Sequence, residues 1–222
     1  MQINLCFPTL SNYSGLAAAI NSACLSKLRP TQINIIDNGG RFKEHFGDIK
    51  EIDGVPVDLF EPLSNTGVTR PFNHFLHKYD NYTIISNDDV IFNEDTIRLL
   101  VEAAEQNPNE LIFAPQVYWE HYFSLFLIKK QALSIIGEFD SNFFAYFSDA
   151  DYTYRMKLAG YKVFVVEGCT YEHVDGGSNT VRNGGSETKK INQLFAQEEQ
   201  YYRAKWMGVR NCEGTTRAFN IF

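Results

Sequence analysis

The sequence is poor in cysteine, has no long apolar run and lacks any surplus of positive charge, and each shortage removes a class of protein. Four cysteines occur in 222 residues, Cys6, Cys24, Cys169 and Cys212. None forms a C-x-x-C pair and none shows zinc-ligand spacing, which excludes a disulfide scaffold and a structural zinc module. Cys6 and Cys169 lie in apolar runs, where thiols are buried, and this usage fits a reducing compartment. Lysine and arginine total 20 against 27 acidic residues, for a formal net charge of -7. That balance excludes a general phosphate-backbone binder, so no general nucleic-acid binding is expected. No stretch approaches the roughly 20 apolar residues of a membrane span. The opening MQINLCFPTL has no basic segment ahead of an apolar core, so it is not a signal peptide. The expectation is a soluble, cytoplasmic protein without a transmembrane segment, or one peripheral at a membrane.

What is present is ordinary globular composition, 44% hydrophobic and 21% charged, enough to build a sizeable core. Periodicity then gives the order of elements. Gln2–Phe7 is a strand-length apolar run. Asn12–Leu28 carries Leu16, Ala19, Ile20, Ala23 and Cys24 at helical spacing. Ile33–Ile36 is a second strand, stopped by Asp37-Asn38-Gly39-Gly40. Val55–Phe60 reads as a third strand, Pro71–Tyr79 as a helix and Tyr82–Ser86 as a strand. Glu94–Gln106 is a helix with Asn93 as its N-cap and Pro108 beyond its end. Leu111–Trp119 and Ser124–Ile128 read as strands, Gln131–Ile136 and Asp149–Leu158 as helices, and Val163–Glu167 as a strand. Gly176–Ser186, rich in Gly, Ser and Asn, is expected to be a mobile loop, and Glu187–Met207 a long polar helix with an aromatic stripe. The alternation predicts a single α/β domain over 1–222, with a mixed, mainly parallel central sheet flanked by helices. The domain divides into residues 1–92, 93–180 and 181–222, the last comprising the loop and C-terminal helix. Ligands of such sheets sit at the carboxyl ends of the strands, where Asp37 and Asp88-Asp89 both fall.

Asn87-Asp88-Asp89 places two adjacent carboxylates between apolar segments. They repel one another unless a cation or hydrogen-bond donors stabilise them. Divalent ions such as Mg²⁺ take carboxylate oxygens and keep positions for phosphate. Taken alone, the pair is equally a solvated turn. Likewise a lone His173 after a strand reads first as a structural histidine, Asp149 and Asp151 as helix caps, and Asp37 as a turn former. Arg70 and Arg155 are either anion contacts or members of ion pairs. Trp119, His121 and Tyr122 are candidates for stacking on an acceptor sugar, with core packing as the plainer reading for Trp119.

The order of motifs resembles the glycosyltransferases of the GT-A fold, family 2 in particular. Phe7-Pro8-Thr9 resembles the family's opening Pro-Thr, and Ile35-Ile36-Asp37-Asn38-Gly39 its strand-end Asp that holds the nucleobase. Asn65-Thr66-Gly67-Val68-Thr69-Arg70-Pro71-Phe72-Asn73 resembles its Asn-x-Gly loop near the donor. Ile85-Ser86-Asn87-Asp88-Asp89-Val90 resembles its metal-binding acidic motif. Gly137-Glu138-Phe139-Asp140 with Phe143-Phe144 and Asp149-Ala150-Asp151 through Arg155 resembles its Gly-Gly-Phe-Asp, Phe-Phe, acidic-pair, Arg pattern. His173 and Gly177-Ser178 continue the family's order, and Tyr201-Tyr202-Arg203-Ala204-Lys205-Trp206 is similar to its later helix. The resemblance covers roughly residues 3–180. Ser148 stands where the family has the first acid of its pair, Glu138 where it has a second Gly, and Leu10-Ser11-Asn12-Tyr13 lacks the common Tyr-Asn.

The resemblance implies a nucleoside-diphosphate sugar donor, UDP or dTDP favoured, and a divalent cation, Mn²⁺ or Mg²⁺. The acceptor would be a hydroxyl of a glycan, a protein or a lipid-linked sugar. It implies Asp89 and His173 as metal ligands and Asp149 as the general base of an inverting displacement. Pro8, Thr9, Asp37, Asn65, Gly67, Arg70 and Asp88 would hold the donor. Asp151, Arg155 and Ser178 would meet acceptor or phosphate, and the Gly176–Ser186 loop would close over the diphosphate. Two alternatives stand beside this. A sugar nucleotidyltransferase shares this kind of fold but begins with a Gly-rich, basic loop, and Pro8-Thr9-Leu10-Ser11-Asn12-Tyr13 has no basic residue. A non-catalytic nucleotide- or sugar-binding module is the other, against which the intact set Asp88, Asp89, Asp149 and His173 speaks.

Overall fold

Alternating apolar residues on the central strands feed two separate cores, one on each face of a single sheet. A computed structural model describes residues 2–80, 82–116, 122–173 and 186–206, the side chains of 186–192 excepted. The strands are β1 (Ile3–Thr9), β2 (Gln32–Asp37), β3 (Glu51–Ile52), β4 (Val55–Phe60), β5 (Tyr82–Ser86), β6 (Val90–Phe92), β7 (Ile112–Pro115), β8 (Leu125–Ile128), β9 (Phe164–Val166) and β10 (Tyr171–His173). The helices are α1 (Tyr13–Cys24), α2 (Phe42–Phe46), α3 (Thr69–Lys78), α4 (Thr96–Gln106), α5 (Gln131–Ile135), α6 (Ser148–Leu158) and α7 (Ser186–Lys205), with a 3-10 turn at Tyr122–Ser124. The main sheet runs β3-β4-β2-β1-β5-β8-β7-β9, and β10 pairs with β6 apart from it. The β4, β2, β1 and β5 block is parallel throughout, and β8 enters antiparallel between β5 and β7.

The sheet thus has the mixed, mainly parallel form expected. On one face, Leu5, Phe7, Ile33, Ile35 and Ile84 pack against Leu16 and Ile20 of α1 and Ile97, Leu100 and Val101 of α4. On the other, Cys6, Ile36, Ile85 and Phe126 pack against Phe72, Phe75 and Leu76 of α3 and Tyr152 and Met156 of α6. The period of two along each strand is what divides the two sets. Cys6 and Cys169 are buried free thiols, as their apolar settings suggested, and Cys24 is buried and free as well, whereas Cys212 lies outside the described residues.

Some boundaries differ from the sequence expectations. Helix α1 begins after Asn12, whose Oδ1 accepts from Gly15 N at 3.2 Å, and it ends at Cys24 rather than Leu28. Helix α4 starts at Thr96, not Glu94, and its N-cap position is Asp95. Asn93 instead donates its amide to Thr170 Oγ1 at 2.7 Å, tying α4 to the β9–β10 turn. Strand β7 stops at Pro115, and Trp119 and His121 lie outside the described residues. Val90–Phe92 and Tyr171–His173 were not expected as strands; they pair antiparallel, with His173 opposite Val90.

A third cluster docks α7 onto α6. Phe143, Phe147 and Tyr202 are buried there, with Tyr146, Phe195, Tyr201 and Trp206 against them. Ion pairs accompany the rings. Lys205 Nζ lies 2.7 Å from Asp140 Oδ2 and 2.6 Å from Asp151 Oδ1. Tyr201 donates its hydroxyl to Asp140 Oδ2 at 2.9 Å. Burial pushes the Asp140 carboxyl up, but Lys205, the Asn142 N–H and the Tyr201 hydroxyl outweigh it and hold the group below the usual carboxylate range. An acid depressed in this way adds stability above its unfolded pKa and loses it as pH falls through the folded one. Asp140→Asn should therefore cost about 1–3 kcal/mol at pH 7. In urea titrations across pH, the gap between wild type and variant should close as pH falls below about 4.

Candidate active site

Parallel pairing sets the site's edge. Thr9, the last residue of β1, is in register with Asp37, the last of β2, and β5 ends alongside them at Ser86. The residues that follow each strand therefore gather at one border of the sheet.

Asp37 is fully buried, and a charge so placed must be met by donors. Tyr13 donates its hydroxyl to Oδ1 at 2.8 Å, and Gly39 N donates to the same oxygen at 2.9 Å. Arg41 N and Phe42 N donate to Oδ2 at 2.8 and 2.7 Å. Four donors saturate the carboxylate, so Asp37 holds the 38–42 turn. Burial and the bond to Asp37 together push the Tyr13 phenol up to about 12.

Asn38 passes this order to the next loop. Its Nδ2 donates to Gly67 O at 2.9 Å, and its Oδ1 accepts from Thr66 N at 2.9 Å and Thr66 Oγ1 at 2.8 Å. Asn65 Oδ1 accepts from Gly67 N at 2.9 Å, closing an Asx turn. Gly67 has φ +77°, and a Cβ there would overlap the Phe144 carbonyl. Val68 N donates to that carbonyl at 2.7 Å. Arg70 follows in the first turn of α3 and is exposed, whereas Gly67 is buried and Asn65 exposed.

The acidic pair divides. Asp88 is half-buried; Thr9 donates its hydroxyl to Oδ2 at 2.6 Å, and Asn12 Nδ2 donates to the Asp88 carbonyl at 3.1 Å. Burial, together with the neighbouring Asp89 charge and against the Thr9 and Asn12 bonds, pushes the Asp88 carboxyl up to about 6. Gly15 completes this contact, because any Cβ on it would overlap the Asp88 carbonyl. Asp89 points elsewhere and is 6% exposed. Its Oδ1 lies 2.9 Å from His173 Nε2, a meeting made possible by the β6–β10 pairing. Pro8 is half-buried at the same strand end.

A carboxylate oxygen and an imidazole nitrogen in contact are suitable donors for a divalent cation. Among the described residues no group of three or more His, Cys, Asp or Glu side chains stands close enough to enclose one. This partial donor set fits an ion that takes its remaining ligands from phosphate and water.

Asp149 stands on a different element. It occupies the first turn of α6 and is exposed, with Oδ1 accepting from Ala150 N at 2.8 Å. Phe147, the residue just before α6, adopts φ 60° and ψ 0°, a left-handed conformation rare outside glycine. Asp151 is buried and turned away. It meets Arg155 Nε at 2.9 Å, Lys205 Nζ at 2.6 Å and Trp206 Nε1 at 3.1 Å, so its contacts are structural. Arg155 also donates to Ile136 O at 3.0 Å and lies over the Tyr152 ring. It is the ion-pair alternative that the structure realises for this residue. Ser178 and residues 176–185 of the expected lid lie outside the described residues.

No family model and no curated protein matches the sequence. Solved structures match in three dimensions. The mannosyltransferase PcManGT from Pyrobaculum calidifontis, in complex with GDP-Man and Mn²⁺, superposes with a TM-score of 0.62 at 14% identity, over 90% of this chain. S. aureus TarS gives 0.63 at 11% identity, over 89% of this chain and 39% of its own. TarS 1–349 in complex with UDP-GlcNAc gives 0.62 at 10% identity, over 83% of this chain and 62% of its own.

This chain has the GT-A fold. It spans 64% of the length of the mannosyltransferase. Asn12, Gly15 and Asn38 join the candidate site although the sequence pattern did not single them out. Asn12 had a signal, its place just ahead of an apolar helical repeat. Gly67→Ala should lower stability by roughly 2–3 kcal/mol, because the added Cβ meets a backbone carbonyl at a positive φ. Thermal and urea unfolding measure the loss.

Proposed function

We propose that the chain is an inverting, metal-dependent glycosyltransferase that moves a sugar from a nucleoside-diphosphate sugar to an acceptor hydroxyl. The observation that carries it is the contact between Asp89 and His173 at the carboxyl border of a GT-A sheet, beside a Thr9-bound Asp88. The neighbours in complex with GDP-Man and Mn²⁺ and with UDP-GlcNAc support a nucleotide-sugar donor and a divalent cation. The motif order supports kinship with family 2.

Asp89 and His173 would hold Mn²⁺ or Mg²⁺, which offsets the negative charge gathering on a diphosphate leaving group. Asp88, fixed by Thr9 and Asn12, lies next to that pair and serves the donor. Arg70, exposed at the start of α3, is the guanidinium left to meet phosphate, since Arg155 is committed to Asp151. Pro8, Asn65 and Gly67 shape the donor's loop. Asp37 contributes by holding the turn that carries Asn38 and, through it, Gly67; the preference for UDP or dTDP rests on its motif alone.

Asp149 is the base. Its exposure leaves Oδ2 open to an acceptor hydroxyl. The acceptor oxygen bonds to the anomeric carbon as the bond from that carbon to the diphosphate oxygen breaks. The leaving group keeps the electron pair, the acceptor proton passes to Asp149, and configuration inverts. The acceptor class is a hydroxyl of a glycan, a protein or a lipid-linked sugar.

Titration calorimetry of UDP, dTDP, GDP and CMP, with and without Mn²⁺, tests the donor site. One diphosphate should bind only with the metal, and Asp89→Ala or chelation should abolish the heat. Absence of binding by any of the four to folded protein would remove the proposal. Asp149→Asn should lower transfer by about 10²–10⁴-fold while leaving metal-dependent nucleotide binding unchanged; wild-type turnover in that variant would refute the base assignment.

A further inference from the structure

The segment that delivers Asp149 is held from two sides. On the donor side, Val68 N donates to Phe144 O at 2.7 Å and Thr69 Oγ1 donates to Phe143 O at 2.7 Å. On the other side stands Glu198 of α7, whose side chain is buried at 4% exposure. One of its oxygens accepts from Phe144 N at 2.8 Å, and the other from Tyr146 N at 2.6 Å. Ala145 N reaches both at 3.2 Å. Three successive N–H groups on one carboxylate form an anion nest filled from within the chain.

This arrangement has a local cost that calls for a reason. A buried carboxylate loses its hydration, and Phe147, the residue after the three amides, holds a strained left-handed backbone. Such strain persists only where surroundings over-determine it. Here they do: Phe195, one turn before Glu198, places its ring 4.9 Å from that of Phe147, and Tyr202, one turn after, places its ring 5.7 Å away. The left-handed residue turns the chain into α6, whose first turn presents Asp149.

We propose that Glu198 is a positioning residue for Asp149. By gathering the 144–146 amides it fixes the approach to Phe147, and so the direction in which Asp149 leaves the first turn of α6. Naming Asp149 as the base rests on the glycosyltransferase proposal; the fixing of its segment does not.

Glu198→Ala and Glu198→Gln, compared with wild type, test it by amide exchange and by steady-state kinetics. In the alanine variant, exchange should rise about 10-fold or more from Phe144 through Asp149, with β1, β2 and β5 as protected as in wild type. For folded enzyme, kcat should fall about 100-fold with donor KM within about twofold. Glu198→Gln keeps the shape and one acceptor oxygen, and should fall between the two; if the alanine variant does not fold, it decides alone. Exchange that rises only at 144–146, with kcat per folded molecule unchanged, would reduce Glu198 to a stability clamp and overturn the proposal, as would unchanged exchange. A wild type that binds no nucleotide, while the variants loosen residues 147–149, would defeat the transferase reading and leave this one standing.

Discussion

A carboxylate removed from water must find donors or lose its charge, and three such groups tie the segments of this chain together. Asp37 gathers the Tyr13 hydroxyl and three amides of the following turn. Asp151 gathers Arg155, Lys205 and Trp206. Glu198 gathers three consecutive amides. Asp37 and Glu198 fix backbone that neither helix nor sheet would fix, because loop amides have no ladder partner of their own, while Asp151 draws together side chains of α6 and of the end of α7. The order spreads from one to the next. The Asp37 turn carries Asn38, Asn38 holds the 66–67 loop, and Val68 meets the Phe144 carbonyl whose own amide belongs to Glu198.

The acids assigned to chemistry are placed differently. Asp149 is exposed, Asp89 meets an imidazole, and Asp88 meets a hydroxyl and lies beside a like charge. Acids saturated by donors from the chain serve architecture here, and those with fewer donors keep capacity for a ligand. That contrast is the physical basis for separating Asp151 from Asp149, although both lie in the first turn of α6.

The strands and longer helices were legible because their apolar periods are strong: Leu16, Ala19, Ile20 and Ala23 can only face one way. The acidic motif was legible because two aspartates interrupt apolar segments. The contact of Asp89 with His173 was expected only by resemblance, since it depends on a three-residue pairing across a separation of 84 positions, too short to leave a periodic trace. The sequence carried both readings of Asp37, turn former and nucleobase contact, without deciding between them. A carboxylate before Asn-Gly-Gly reads the same whether it faces a ligand or its own turn. Glu198 was the least visible. In Gln197-Glu198-Glu199-Gln200 it looks like solvated helix surface, and only the docking of α7 distinguishes it from the half-exposed Glu199.

Glu198 lies 54 positions after the amide of Phe144 that it accepts from. At synthesis rates of roughly 5–20 residues per second, the ribosome completes the 143–147 segment several seconds before the helix that clasps it. The parallel β1–β2–β5 block and its border aspartates are whole by then. During that interval the nascent chain holds a formed β1–β2–β5 border and an unset approach to Asp149.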